Sequence, residues 1–450
     1  MKFKFFLITG AIFLSTLIPL KSLHPEEPAA SPVCDVKDFG ATGNGMTKDT
    51  LAIQKAIDSC ANAGGSVRLH DGVFLSGMIR LKSQMRFVIE PTATLKGTQD
   101  DSDYPDTSPQ TDNTQLKTCR KALLYAEGTH DLIIEGGGTV DGNGNVKKWI
   151  GTSVPERKRP MPVYIALSSK VTIQDLQVKN AAMWSVVGLE TDDLTIRNVK
   201  VLSALSGNRD GIDIVDCHRV LIEDCQVTSE DDAICLKSGT RLGVVDVLVR
   251  NSQVLQSTTS NGIKFGTAST GEFRNITFEN ITIENVDKAA IAVESVDGAD
   301  ISNIIFRNIE FHKVGSALFV LLGKRGNPPK MGSINGLTFE NITGDQIQRT
   351  WGSAISGVFL RPAWYAPRSL RYAPKNLFFR NVHITSGVGL NYIPDKPPEY
   401  EGQYPDPDLW GNLPASGFYF RHVDNVIFDD VSIEKSADDI RAAIVKEDVN

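Results

Sequence analysis

Positive charge is in short supply in this 450-residue chain: 47 Lys and Arg stand against 54 Asp and Glu, a formal net charge of −7. Nucleic acid, which is gripped by clustered cations, is therefore not expected as a partner. A local basic patch on an acidic protein still admits a polyanionic substrate. The seven histidines are scattered without ligand spacing and none of the six cysteines is spaced for zinc, so no metal or other cofactor is expected. After the first 20 residues no apolar run is long enough to span a membrane. With 41% hydrophobic residues and 38 glycines, what remains is a chain with a real core and many turns.

The one long apolar run, 5–20, follows Lys2 and Lys4 and precedes a polar, Pro-containing stretch at 21–32. That is the pattern of an export leader. A retained membrane anchor is the other use of such a run, but 16 residues are short against a span of about 20. No Cys follows the run to carry a lipid. The expected organisation is a signal peptide over 1–23, a linker over 24–33 and a single catalytic domain over 34–450. The mature protein is expected to be periplasmic or extracellular, monomeric and without stable membrane association. Cys34 and Cys60 bracket an apparent strand and helix, and export makes a disulfide between them chemically allowed. Cys119, Cys217, Cys225 and Cys235 read as small core hydrophobes.

One pattern recurs along most of the chain: apolar, any, apolar, any, Asn or Asp, apolar, any, apolar. It begins at Val171, Leu194, Val220, Val247, Ile276, Ile304, Leu337, Leu377 and Val426, with Asp175, Asn198, Asp224, Asn251, Asn280, Asn308, Asn341, Asn381 and Asp430 in the polar place. Alternation with period two on each side marks two short strands, and the break of phase marks a corner between them. Asn and Asp tolerate the left-handed backbone that a tight corner demands. Early copies start 23 to 29 residues apart, which suits one coil of a three-sided solenoid; later gaps of 33, 40 and 49 call for inserted loops. A leucine-rich horseshoe would want a helix and regular Leu in each unit, and neither is visible.

The expected fold is thus an all-β, right-handed parallel β-helix. Phe278, Phe306, Phe339, Phe379 and Phe428 should form an interior ladder. A short N-terminal helix within 47–63, apolar at Leu51, Ile53, Ile57 and Cys60, should cap the first coil. Asn275, Asn280 and Asn341 match the glycosylation pattern, but as corner or strand residues they are more simply structural.

Aligning one strand per coil through Ile212-Ile214, Ile234-Leu236, Ile263-Phe265 and Ile291-Val293 puts Asp210, Asp232 and Asn261 in one row, with Asp231 beside Asp232. Coils are about 4.8 Å apart, so three carboxylates crowd one patch and at least one pKa rises. Glycosidic hydrolysis needs one protonated carboxyl and one carboxylate, and the trio supplies both states. By spacing alone, a calcium site or a solvated Asp-rich turn suits the same residues nearly as well.

The strings Asn208-Arg209-Asp210-Gly211-Ile212-Asp213 and Asp231-Asp232-Ala233-Ile234 resemble two motifs of glycoside hydrolase family 28, the polygalacturonase family. The stretches Gly72-Val73-Phe74-Leu75-Ser76-Gly77 and Gly136-Gly137-Gly138-Thr139-Val140-Asp141-Gly142 resemble it too. The resemblance implies Asp231 as general acid, Asp210 and Asp232 positioning and deprotonating the water, and inversion at the anomeric centre. It implies a pectic polysaccharide or oligosaccharide as substrate. Two departures stand out. Ser260-Asn261-Gly262 occupies the place of the family's Gly-His-Gly, and Ala292-Val293-Glu294 that of its Arg-Ile-Lys, which grips a galacturonate carboxylate.

Lys264, Lys237 and Arg209 are the candidate replacement cations, although either lysine serves equally as an ion-pair partner of Glu294. Asn208, Arg209, Lys237, Asn261, Lys264 and Glu294 together make the expected substrate-binding set. Trp184 stacks on sugar or is a buried aromatic. The Pro-rich segment 392–414, with Tyr392, Tyr400, Tyr404 and Trp410, is placed to wall off a cleft and favour chain-end cleavage. Two other functions remain open on this sequence: a polysaccharide lyase on the same fold, and a carbohydrate-binding relative without catalysis.

Overall fold

The computed structural model describes residues 1–2, 31–61, 64–118, 121–145, 149, 158–205, 207–360, 370–399 and 402–450. Except for Met1 and Lys2, the expected leader lies outside the described residues, as do Cys119 and Tyr400. Among the described residues no helix is long and apolar enough to cross a membrane. Residues Pro32–Asn450 form one compact unit.

Each copy of the sequence pattern becomes two sides of a coil. All nine polar corner residues adopt left-handed backbone, with φ between +48° and +56°. Stacked coils bring these corners into register, so the side chains bond along the axis. Asn280 donates to Asn251 at 2.9 Å, Asn308 to Asn280 at 2.9 Å, Asn341 to Asn308 at 2.9 Å and Asn381 to Asn341 at 2.8 Å. Asn275 sits in a second such ladder, between Asp246 and Asn303. The glycosylation-like asparagines are thus structural rungs.

Neighbouring coils pair in parallel along the whole length, as in Asp300–Leu322 against Ser333–Ile347. Crossovers between parallel neighbours are right-handed as a rule, and the architecture is a right-handed parallel β-helix. Inward residues stack like on like. Phe278, Phe306, Phe339 and Phe379 follow one another at centroid distances of 5.5, 5.2 and 5.0 Å, and Phe428 continues the row at 5.4 Å. From Phe278 to Phe379 each ring stacks on the next, and Phe428 closes the row tilted, so each coil leans on its neighbours.

Helix α1, Thr50–Cys60, closes the N-terminal end against the first coil. Its buried face is Ala52, Ile53, Ala56, Ile57 and Cys60, while Leu51 is 75% exposed. The expected apolar stripe was one residue off at its start, because the small alanines, and not Leu51, let the helix approach the coil. The disulfide Cys34–Cys60 ties that helix to the first strand. Cys217 and Cys225 are free thiols in the core.

Candidate active site

Strands Ile212–Val215 and Ile234–Ser238 lie side by side, Ile212 opposite Ile234 and Ile214 opposite Leu236. Their inward residues anchor them in the core, so the residues just before each strand come to the same edge on successive coils. Gly211 N donates to Asp232 O at 3.0 Å, and Ala233 N to Asn261 O at 3.0 Å. Only glycine fits at 211, where a Cβ would stand 2.3 Å from the carbonyl oxygen of Ala233. Asp210, Asp232 and Asn261 thus form the row that the strand alignment requires. Carboxylate oxygens of Asp210 and Asp232 lie within 4.8 Å of each other. A single water with hydrogen bonds of about 2.8 Å can touch both.

The three carboxyls sit in different environments. Asp232 is buried, which works to raise its pKa. Lys264 and Lys237 outweigh that, together with hydrogen bonds to Oδ1 from Ser260 Oγ at 2.7 Å and Asn261 Nδ2 at 2.8 Å. Asp232 is held below the usual carboxylate range. Asp231, one residue away and partly exposed, is pushed up to about 6 by burial and by the Asp232 charge. Burial and then Asp213 push Asp210 well above its ordinary value, with Lys237 opposing.

Lys237 is the hub beneath the cleft. Its ammonium donates to Asp210 Oδ2 at 2.6 Å and to Asp213, and lies 4.4 Å from the centre of the Trp184 ring. Burial disfavours its charge, but Asp210 and Asp213 more than compensate and keep it protonated. Cys235, expected in the core, instead faces outward beside this ammonium, its Sγ 3.0 Å from Nζ, because it shares the outward row of Asp213 and Lys264. Asp210, Asp232 and Cys235 are close enough together to hold a metal ion, yet the positive charge in their midst is already supplied by Lys237.

Comparison with known proteins places this arrangement. The model of glycosyl hydrolases family 28 matches residues 64–361, more than half of the chain. The chain belongs to that family. A probable polygalacturonase of Vitis vinifera is 27% identical over 262 residues, 54% of this chain and 53% of its own. An exo-poly-alpha-D-galacturonosidase of Dickeya chrysanthemi is 25% identical over 345 residues, 59% of this chain and 57% of its own. The chain thus spans little more than half the length of these two relatives. The solved family 28 exopolygalacturonase of Yersinia enterocolitica has a TM-score of 0.73 at 18% identity, covering 93% of this chain and 78% of that one, a likeness of fold.

In this family 28 chain the carboxylates open onto a cleft of about 820 Å³. Trp184, Asn208 and Lys237 line it on the coils; Thr114 and Gln115 come from an earlier loop, Arg325, Pro328 and Pro329 from loop 323–332, and Tyr404 from the C-terminal loop. Trp184 is 2% exposed and serves as a buried platform for Lys237 rather than as an open stacking surface.

Four of the expected substrate contacts are corrected by burial: Arg209, Asn261, Lys264 and Glu294 lie behind the cleft wall and do not line it. Arg209 donates to Gly144 O at 2.9 Å. Asn261 braces Asp232. Lys264 pairs with Glu294 at 3.0 Å and stands 4.0 Å from Asp232, and burial brings Glu294 up to about 7.

The cover comes from the C-terminal loop, whose Trp410 and Leu413 pack on Ala292, Phe319 and Ala354 on the outward face. The 10 or so residues around Arg325 carry no periodic signal, so sequence reading missed the half-exposed cation of this cleft. Arg325 is clamped by Asp297 through Nε at 2.9 Å and Nη2 at 2.5 Å. Asp213 was missed as well, although it closes the Asn208-to-Asp213 string itself.

One prediction follows from the cover. Ala292→Arg with Glu294→Lys, which by motif alone should restore a uronate grip, would force a long side chain under Trp410 and set a second cation against Lys264. We expect no gain on polygalacturonate and a loss of at least about 3 kcal/mol in denaturant unfolding.

Proposed function

We propose that the protein is an exported, inverting glycoside hydrolase that cleaves glycosidic bonds in a pectic or related acidic polysaccharide, working from a chain end and not tuned to plain polygalacturonate. The observation that carries this reading is the split between adjacent carboxyls on one cleft, Asp231 raised to about 6 and Asp232 held low. Asp231 gives its proton to the leaving oxygen as the bond to the anomeric carbon breaks. Water, touching Asp210 and Asp232, attacks from the opposite face and gives its proton to Asp232. The products are a free hydroxyl on the leaving sugar and an inverted reducing end; solvent then returns the proton from Asp232 to Asp231.

Chain-end action is supported by the loop residues Tyr404, Pro328 and Pro329, which line the same cleft as the carboxylates. Export is supported by the leader-like run and by the disulfide Cys34–Cys60. Departure from plain polygalacturonate is supported by the burial of Ala292 and Glu294, which leaves Arg325 as the half-exposed cation of the cleft. A lyase needs a neutral base beside the uronate, whereas Lys237 and Lys264 are both kept protonated by their carboxylates.

Incubation with a panel of pectic polysaccharides and NMR of the first product tests the proposal. An inverted reducing end is expected; an unsaturated product absorbing in the ultraviolet would sink it. The pH profile is a second check. Asp231 must be protonated, so kcat/KM should fall about tenfold per unit above about pH 6. Asp232 stays ionised below the usual carboxylate range, so the acid limb belongs to Asp210, which burial raises above that range.

A further inference from the structure

We propose that a second groove, continuous with the cleft, binds a remote stretch of the acidic polysaccharide. The groove has a volume of about 890 Å³ and meets the cleft at Gly239 and Thr270, which line both. The three carboxyls stand at the start of the strands, and Gly239 follows the end of strand Ile234–Ser238. At about 3.3 Å per residue the junction is roughly 20 Å from Asp232, several sugar units from the bond that breaks.

The groove is preformed. One wall is loop 108–118 and the other is the turn 239–242, and both hang on Asp216, which is 1% exposed. Asp216 accepts from Asn113 Nδ2 at 3.0 Å, from Gly239 N at 3.1 Å and from Ser238 Oγ at 2.7 Å. The walls meet so closely that a Cβ at Gly239 would stand 2.5 Å from Asn113 Nδ2. Walls fixed in advance need no ordering when ligand arrives.

The lining suits an acidic sugar. Thr240 and Thr270 offer hydroxyls, Leu242 is 47% exposed and offers a ring-sized apolar face, and Arg241 is exposed with no ion pair among the described residues. Lys117 adds a second cation; Asp112 and Glu190 are the acids present, the latter engaged by Thr111 Oγ1 and raised by burial. A glycan lying here places ring faces on Leu242 and carboxylates on Arg241.

This inference rests on the acidic polysaccharide of the proposed function, and its test separates the two. Arg241→Glu, at an exposed turn, should raise KM on the polymer about tenfold, the size of one charge-assisted contact. It should leave kcat, and all kinetics on dimers and trimers of the same sugar, unchanged. Equal effects on short and long substrates, or none on the polymer, would overturn the groove. In parallel, Asp231→Asn protein should be retarded in a gel containing pectic polymer, and less so when Arg241→Glu is added. Retardation that depends on Arg241 without any hydrolysis by the native enzyme would keep the groove and remove the hydrolase reading; retardation indifferent to Arg241 would remove the groove.

Discussion

Asp231→Asn should abolish nearly all turnover, by a factor of about 10²–10⁴, while leaving the melting temperature at neutral pH close to that of the native protein. An amide cannot donate a proton to a departing alkoxide. The substitution is otherwise mild: Asp231 Oδ1 accepts from Asp232 N at 2.9 Å, and the Asn oxygen can do the same. Linkage gives the same sign. The folded pKa is raised from 3.8 to about 6, so the stability this carboxyl contributes is complete below its ordinary pKa and lost as pH rises through about 6. Above that, its charge opposes burial and the charge of Asp232, and a neutral amide relieves both. The residual activity should also lose the decline above pH 6. Undiminished turnover in Asp231→Asn would remove Asp231 from the acid role.

Most of the coil was legible because its rules are local. Period-two alternation, an Asn or Asp at each phase break and a Phe every 28 to 49 residues define corners and ladders without reference to distant segments. The row of Asp210, Asp232 and Asn261 was legible for the same reason, since parallel pairing in register turns sequence spacing into neighbourhood. What failed was everything decided by loops. Glu294 and Lys264 point outward from their strands, and outward on a bare solenoid means solvent.

Here outward means beneath the C-terminal loop, more than 100 residues later in the chain: Trp410 and Leu413 cover Ala292, Tyr404 stands beside Lys264 and Glu294, and no periodicity announces those contacts. Arg325 and Arg241 escaped for the complementary reason, as single charges on aperiodic turns. Leu51 shows the limit of periodicity even in a helix, where Ala52 and Ala56 buried in its place.

Lys237→Met should be the most damaging change at a residue that donates no proton. It removes the ammonium between Asp210 and Asp213, both at most 2% exposed, and breaking a buried pair in this way costs about 3–5 kcal/mol. Burial and mutual repulsion then act on Asp210 unopposed, its proton is held more tightly, and one of the two contacts on the attacking water is lost as an acceptor.

The companion change Asp213→Asn separates folding from chemistry. In Lys237→Met with Asp213→Asn the repulsion is gone along with the ammonium, and coupling of about 0.5–3 kcal/mol should return much of the stability. If Lys237 is only structural, activity returns with the fold. If it positions Asp210, the double variant melts near the native temperature yet keeps a low kcat at a little-changed KM, because the ammonium that holds Asp210 Oδ2 is gone. Full kcat in a refolded double variant would reduce Lys237 to a packing residue under Trp184.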